Sequence, residues 1–193
     1  SDLDETLIMS LKLQGAKINN WGVGTKLITS DDCPSFGGVY KLAAESDGNG
    51  GFIPKIKLSN NPSKVTNPGI KKVMRFYDKA TGKIKADLIC LDDEQYNENE
   101  RIKLFDHMAK WKKMILKPGE YTIRELLVPV FKNGECVYTS PSVNEIKEYC
   151  AGELATLWDE HRRLANPHTV PFDLSDKLIE LKNKLIDEMS EGE

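Results

Sequence analysis

Ile18-Asn19-Asn20-Trp21-Gly22-Val23-Gly24-Thr25 is the stretch on which the fold assignment turns. Ile18 to Val23 reads as a short buried strand. Two glycines within three residues at its end let the backbone bend tightly and expose its N–H groups. The hydroxyl of Thr25 then completes a pocket suited to a phosphate. Gly-x-Gly-Thr is also plain turn chemistry, and the residues alone leave both possibilities open. Upstream, Leu3, Leu7, Ile8 and Leu11 recur at helical spacing and Gly15 is a fitting stop, so residues 3 to 14 are expected to be helical. Asp2 is expected to cap that helix, with Glu5 completing a capping box. A helix leading into a strand and a glycine turn is one step of a parallel α/β architecture, in which ligands collect at the strands' C-terminal ends.

The pattern changes near residue 39. Val39-Tyr40-Lys41-Leu42-Ala43-Ala44 is a β-type run, and the polar, glycine-rich Glu45 to Gly51 separates it from Ile53 to Leu58, which predicts a hairpin. Lys72 to Tyr77 and Lys85 to Leu91 flank Lys79-Ala80-Thr81-Gly82-Lys83 as a second one. Asp92 to Glu100 reads as a solvated acidic loop. Tyr121 to Phe131 predicts a strand that turns through Lys132 to Glu135 and pairs with Cys136-Val137-Tyr138. Ser142 to Arg163 predicts a helix with an apolar stripe through Val143, Ile146, Tyr149, Cys150, Leu154, Leu157 and Trp158. Ser175 to Met189 predicts a closing helix with Leu178, Leu181 and Leu185 on one side, and both stripes read as core. The expected class is α+β in three regions: 1–38 with the helix–strand step, 39–140 as an antiparallel β-rich lobe with a helical or loop insertion, and 141–193 as a helical region.

With 193 residues, 39% of them hydrophobic, the chain can bury a real core. Twenty-seven Lys and Arg stand against thirty Asp and Glu, for a net charge of −3 without a long run of either sign. That balance points away from nucleic acid and from membrane surfaces, both of which select concentrated positive charge. No apolar run approaches the roughly 18 to 20 residues that span a bilayer. Cys33, Cys90, Cys136 and Cys150 lack the close pairing of a zinc site and read as reduced thiols of a cytoplasmic protein. His107, His161 and His168 form no metal pair, and no metal ligands are expected. Ser1-Asp2-Leu3-Asp4-Glu5 starts a helix with no initiator Met and nothing before it to pack, so the chain is expected to be a piece of a longer protein.

Three clusters stand together: Asp2 to Glu5 with Gln14-Gly15-Ala16 and Trp21 to Thr25; Gly37-Gly38-Val39-Tyr40-Lys41-Leu42; and Lys57-Leu58-Ser59 with Lys64 to Lys71 and Arg75. Their order and spacing closely resemble the C-terminal part of bacterial nicotinate phosphoribosyltransferase, a type II phosphoribosyltransferase. The resemblance continues through Arg124-Glu125-Leu126-Leu127, Leu157 to Arg163 and Asn166-Pro167-His168, and so covers essentially the whole chain.

The resemblance implies that residues 1–38 are the end of an α/β phosphoribosyltransferase barrel. It also implies a parent enzyme that joins nicotinate to 5-phosphoribosyl 1-pyrophosphate with Mg2+ and coupled ATP hydrolysis, in NAD salvage, as a cytoplasmic homodimer. Gly24 and Thr25 match the family's phosphate-anchoring turn, Gly22 gives the backbone its approach, and Asp2 matches an acid that faces the ribose. Lys41, placed on a strand, and Lys64, Lys71 and Arg75 around the Pro-Gly turn either contact phosphate or are simply solvated. A positive φ is expected at Gly24. The catalytic histidine and the nicotinate-binding residues belong upstream of residue 1, so the chain alone is expected to be inactive. The alternative is a stand-alone, non-enzymatic phosphate- or nucleotide-binding or dimerisation module.

Overall fold

A computed structural model of the chain describes all residues except Ser1, Phe36, 106–108, Lys110 and 192–193, with Glu191 described by its backbone only. His107 therefore lies outside the described residues. The chain divides into two compact units, residues 1–40 with 163–167, and residues 41–162 with 168–193.

The first unit holds two short helices. α1 spans Glu5–Leu13 and is capped by Asp4, whose carboxylate accepts the Leu7 N–H at 2.7 Å. Asp2 is therefore not the cap, and the capping box expected with Glu5 is not formed. The helix begins at Glu5, so the N–H that an N-cap side chain reaches is that of Leu7, three residues beyond Asp4. Gly15, at φ +88°, ends the helix with N–H bonds from Gly15 to Lys12 and from Ala16 to Leu11. Residues 18–23, expected as a strand, form none: a strand needs a neighbour for its N–H and C=O groups, and no strand lies among the described residues of this unit. α2 spans Thr25–Thr29. Neither helix buries a residue, and Leu7, Ile8, Leu11, Ile18 and Val23 are all at least partly exposed.

The second unit opens with the hairpin β1 (Ala44–Ser46) and β2 (Phe52–Pro54), paired antiparallel with Glu45 opposite Ile53. Its strands are shorter than expected, because the tip draws in its flanks: the Asp47 carboxylate accepts the N–H groups of both Asn49 and Gly51. Lys41 precedes β1, so it lies on no strand. A 3-10 turn, Pro62–Lys64, leads to β3 (Lys71–Asp78) and β4 (Ile84–Leu91), which form the second hairpin. β5 (Ile102–Phe105) and β6 (Lys113–Leu116) pair with each other, and β7 (Tyr121–Glu125) returns to β3. The strand expected over residues 121–131 is two: β7 ends at Glu125, and β8 (Phe131–Lys132) begins a separate small hairpin with β9 (Glu135–Cys136). Pro129, which has no N–H to give, sits in the gap. α3 (Val143–Ala155), α4 (Asp159–Arg162), β10 (Phe172–Leu174) and α5 (Asp176–Glu191) complete the chain.

The main sheet runs β10-β4-β3-β7, with β10 parallel to β4 and the other pairs antiparallel. Alternation along β3 and β4 sends Met74, Phe76, Ala86, Leu88 and Cys90 to one face, where they meet Ile102, Leu104, Leu116 and Tyr121 in the core. Phe76 and Tyr121 are fully buried and meet edge to face with ring centroids 5.7 Å apart. Burial pushes the Cys90 thiol up to about 12, so it stays protonated. The stretch 92–100 is more than a solvated loop. Glu94 accepts the Leu91 N–H and the hydroxyls of Tyr96 and Ser175, and Glu98 accepts the Ile123 N–H. Ser175 in turn receives the Leu178 N–H, which seats α5 and its fully buried Leu178 on the sheet.

The other face of the sheet carries charge. Arg75 on β3 stands directly between Asp87 on β4 and Arg124 on β7. Its guanidinium grips Asp87 through two bonds of 2.8 Å. Glu153 of α3 is gripped in turn by Arg124, at 2.7 and 2.6 Å, and lies 3.5 Å from Arg75. Arg124 also lies over the Tyr77 ring, 5.4 Å from its centroid.

The helix expected over residues 142–163 is interrupted after Ala155, and the cause is visible at its end. Lys83 donates to the carbonyls of Ala155 and Leu157, at 2.8 and 2.9 Å, and the Ile84 N–H donates to that of Thr156. Trp158 donates its indole N–H to the Ile84 carbonyl at 2.7 Å. The end of α3 is thus tied to the start of β4. Its apolar stripe, expected as core, is not: α3 buries no residue.

Two substitutions probe this unit. Gly69 is buried at φ +79°, and a Cβ there would lie 3.0 Å from a Leu91 methyl and 3.4 Å from one of Leu181. Gly69→Ala is expected to lower the unfolding free energy by about 1–3 kcal/mol. Urea denaturation checks this, and an unchanged midpoint would contradict it.

The Asp78 carboxyl, bonded by Lys85 at 2.8 Å and by Thr81, is held down to about 2. Because its folded pKa is depressed, its stabilising contribution is complete above the ordinary value near ~3.9 and disappears as pH falls through about 2. NMR titration of the Asp78 carboxyl should give a midpoint near that value, and Lys85→Met should move it upward. A wild-type midpoint in the ordinary aspartate range would refute the assignment.

Candidate functional site

Gly24 is the residue before α2, and Thr25 is the first residue of that helix. The expected glycine turn is therefore the start of a five-residue helix. The first N–H groups of any helix lack intrahelical partners, and no side chain caps this one. Gly24 sits at φ −107°, so the positive φ expected there is absent. Nothing lies within 4 Å of where a Cβ at Gly22 or Gly24 would sit, and both glycines and Thr25 are exposed. Asp2 is also exposed, at φ 57°.

Two residues missed from the sequence tie α1 to α2. Lys26 donates to the Asp4 carboxylate at 3.0 Å and lies 3.8 Å from that of Asp31. The Leu7 N–H and Lys26 hold Asp4 below the usual carboxylate range, and Asp4 holds Lys26 above the usual lysine range. The clue was present in the sequence: a lysine in the first turn of a helix opposes the helix dipole and needs an acid nearby.

A cavity of about 390 Å³ lies between these elements, lined by Leu3, Asp4, Ile8, Val23, Lys26 and Leu27 among others. Its charged lining is mostly acidic, with Glu5, Asp31 and Asp32 beside Asp4, and Lys26 is already committed. That lining repels an anion. None of Asp2, Gly22, Gly24 and Thr25 lines it, so a phosphate bound by those residues lies outside this cavity.

The basic candidates separate clearly. Lys41 and Lys64 are exposed. Lys71 donates to the carbonyls of Pro68 and Gly69, and burial pushes its pKa down. Lys182, which the sequence did not single out, holds the same turn through the Asn67 side chain at 2.9 Å. Arg75 is engaged by Asp87 and Glu153. Lys71 and Arg75 thus serve the fold, and neither presents a free cation to a phosphate.

Among the described residues, no group of three or more His, Cys, Asp and Glu side chains is placed to hold a metal ion. The acids nearest the glycine turn are paired with Lys26. The described side chains of this chain therefore do not by themselves assemble a Mg2+ site. Among the described residues, no helix is long and apolar enough to cross a membrane.

The sequence family described as the nicotinate phosphoribosyltransferase C-terminal domain matches residues 70–182. A nicotinate phosphoribosyltransferase of Bacillus subtilis is 38% identical over 99% of this chain and 40% of its own length. One from Caenorhabditis elegans is 37% identical over 96% of this chain and 32% of its own. The crystal structure of human nicotinic acid phosphoribosyltransferase superposes with a TM-score of 0.55 at 25% identity, covering 63% of this chain and 24% of that one. The chain thus spans two fifths or less of these relatives. Its mixed architecture of small sheets and helices is similar to the human protein's, and it belongs to the nicotinate phosphoribosyltransferase family, corresponding to the C-terminal domain.

Proposed function

We propose that this chain supplies one wall of the phosphoribosyl site in an enzyme that joins nicotinate to 5-phosphoribosyl 1-pyrophosphate, releasing pyrophosphate and forming nicotinate mononucleotide. The observation that carries this is the 38% identity with the Bacillus subtilis enzyme across 99% of the chain, which includes the Gly22-to-Thr25 turn. Residues 1–38 are the end of the barrel, 39–140 the antiparallel lobe and 141–193 the helical region. The parent is a cytoplasmic homodimer that couples the reaction to ATP hydrolysis with Mg2+, and the residues that bind nicotinate and take up phosphate lie outside this chain. The chain alone is inactive.

Breaking the anomeric C–O bond builds positive charge on the ribose, so the protein's task is to hold the sugar still and balance its phosphates. The uncapped N–H groups at the start of α2 and the Thr25 hydroxyl hold the 5′-phosphate, and the bare backbone at Gly22 and Gly24 leaves room for it. Asp2 accepts from the ribose hydroxyls. The Asp4–Lys26 pair fixes α2 against α1, and thereby fixes the direction in which those N–H groups point.

Thr25→Val in the full-length enzyme keeps the side-chain shape and removes the hydroxyl. If that hydroxyl donates to a charged phosphate oxygen, its loss is worth about 1.5–3 kcal/mol, or roughly ten- to a hundredfold in Kd for the phosphoribosyl donor. Nicotinate affinity should stay constant. Calorimetric titration of both ligands measures the split, and unchanged donor affinity in a folded variant would remove Thr25 from the site.

A further inference from the structure

Residues 127–152 form an unbroken run in which every residue is exposed. The run holds β8, β9 and the first ten residues of α3, and it is not polar. Phe131 on β8 is 68% exposed, Val137 and Tyr138 after β9 are 50% and 43% exposed, and Val143, Ile146 and Tyr149 of α3 are 81%, 51% and 64% exposed. The α3 residues recur at a three-residue interval along one side of the helix.

The run is nevertheless built to hold its shape. The β8–β9 turn is Asn133-Gly134, both at positive φ (53° and 83°), the geometry of a tight two-residue hairpin. α3 starts with a capping box in which Ser142 and Glu145 exchange bonds. Its far end is fixed to the sheet by Glu153, Lys83 and Trp158. An isolated two-stranded hairpin is marginal in water, and exposed apolar side chains grouped along a stretch held in fixed conformation mark a surface that another segment covers.

We infer that this hairpin and the exposed side of α3 are the seat of the upstream part of the same polypeptide. The chain covers 40% of the Bacillus subtilis relative and matches a C-terminal domain, so much of the remaining polypeptide of that protein lies upstream of the matched region. A segment joined covalently meets this face at an effective concentration on the order of millimolar, which a second copy in dilute solution does not reach. The inference rests on family membership alone. It is independent of the phosphate contacts proposed for Gly24 and Thr25.

Hydrogen–deuterium exchange followed by mass spectrometry tests it, comparing the full-length protein with the 193-residue chain across a range of concentrations. Peptides from 127–152 should exchange at least tenfold more slowly in the full-length protein, independently of its concentration, while the isolated chain leaves them unprotected. Equal exchange in the two proteins overturns the inference. So does protection that grows with concentration in either one, because the occupant is then a second copy. Ile146→Asp supplies an independent check. It should leave the melting temperature of the 193-residue chain unchanged and lower that of the full-length protein, and an equal effect on both would place Ile146 within the domain's own core. None of these outcomes depends on transferase activity, so the docking face and the phosphate site stand or fall separately.

Discussion

Arg75 and Arg124 stand opposite each other on neighbouring strands, an arrangement that costs free energy unless the charge is balanced. Asp87 balances Arg75 from the other side within the sheet, but among the described residues no strand residue balances Arg124 in the same way. Glu153 does so from α3, and it closes on both guanidiniums at once. The sheet therefore needs the helix for its electrostatics, and the helix is held by the sheet without burying a single residue of its own. That explains how α3 is anchored at one end while most of its length projects an apolar side outward. The pair is only partly shielded, since Arg124 is 40% exposed, and geometry rather than burial gives it strength: two parallel N–H bonds to one carboxylate. The Tyr77 hydroxyl beside it is buried and has no hydrogen-bond partner among the described residues, and burial pushes its pKa up.

Much of the β-rich part was legible in the sequence. The β3–β4 hairpin follows from strict alternation around Lys79 to Lys83, and the order of buried residues in β4 repeats that alternation. α5 follows from a leucine stripe that begins on the fully buried Leu178. Where expectation and structure part around α3, the cause lies in contacts that local pattern does not carry. The stripe on α3 has the same period as that on α5, and periodicity alone does not say whether a partner is present. The break after Ala155 is imposed by Lys83 and Trp158, bonds that bridge more than seventy residues. Glu94 and Glu98 look like solvated acids because the N–H and hydroxyl groups they receive come from distant segments as well as near ones.

The candidate site was less legible. Asp2 and Asp4 are both good caps by residue type, and only the register of the helix chooses between them. Ile18 to Val23 has the composition of a buried strand, yet no strand lies beside it among the described residues of this unit. The Gly22-to-Thr25 turn stands out from its residues alone, whereas the Asp4–Lys26 pair that ties α1 to α2 joins positions twenty-two residues apart.

The placement of α3 depends on the grip of Arg124 on Glu153, and a double-mutant cycle measures it directly. The unfolding free energies of the parent chain, Arg124→Ala, Glu153→Ala and the double variant yield the coupling between the two side chains. A bidentate pair that also relieves Arg75 predicts a coupling of at least about 1 kcal/mol. A coupling within about 0.3 kcal/mol of zero would make this an ordinary exposed ion pair and leave the placement of α3 without its cause.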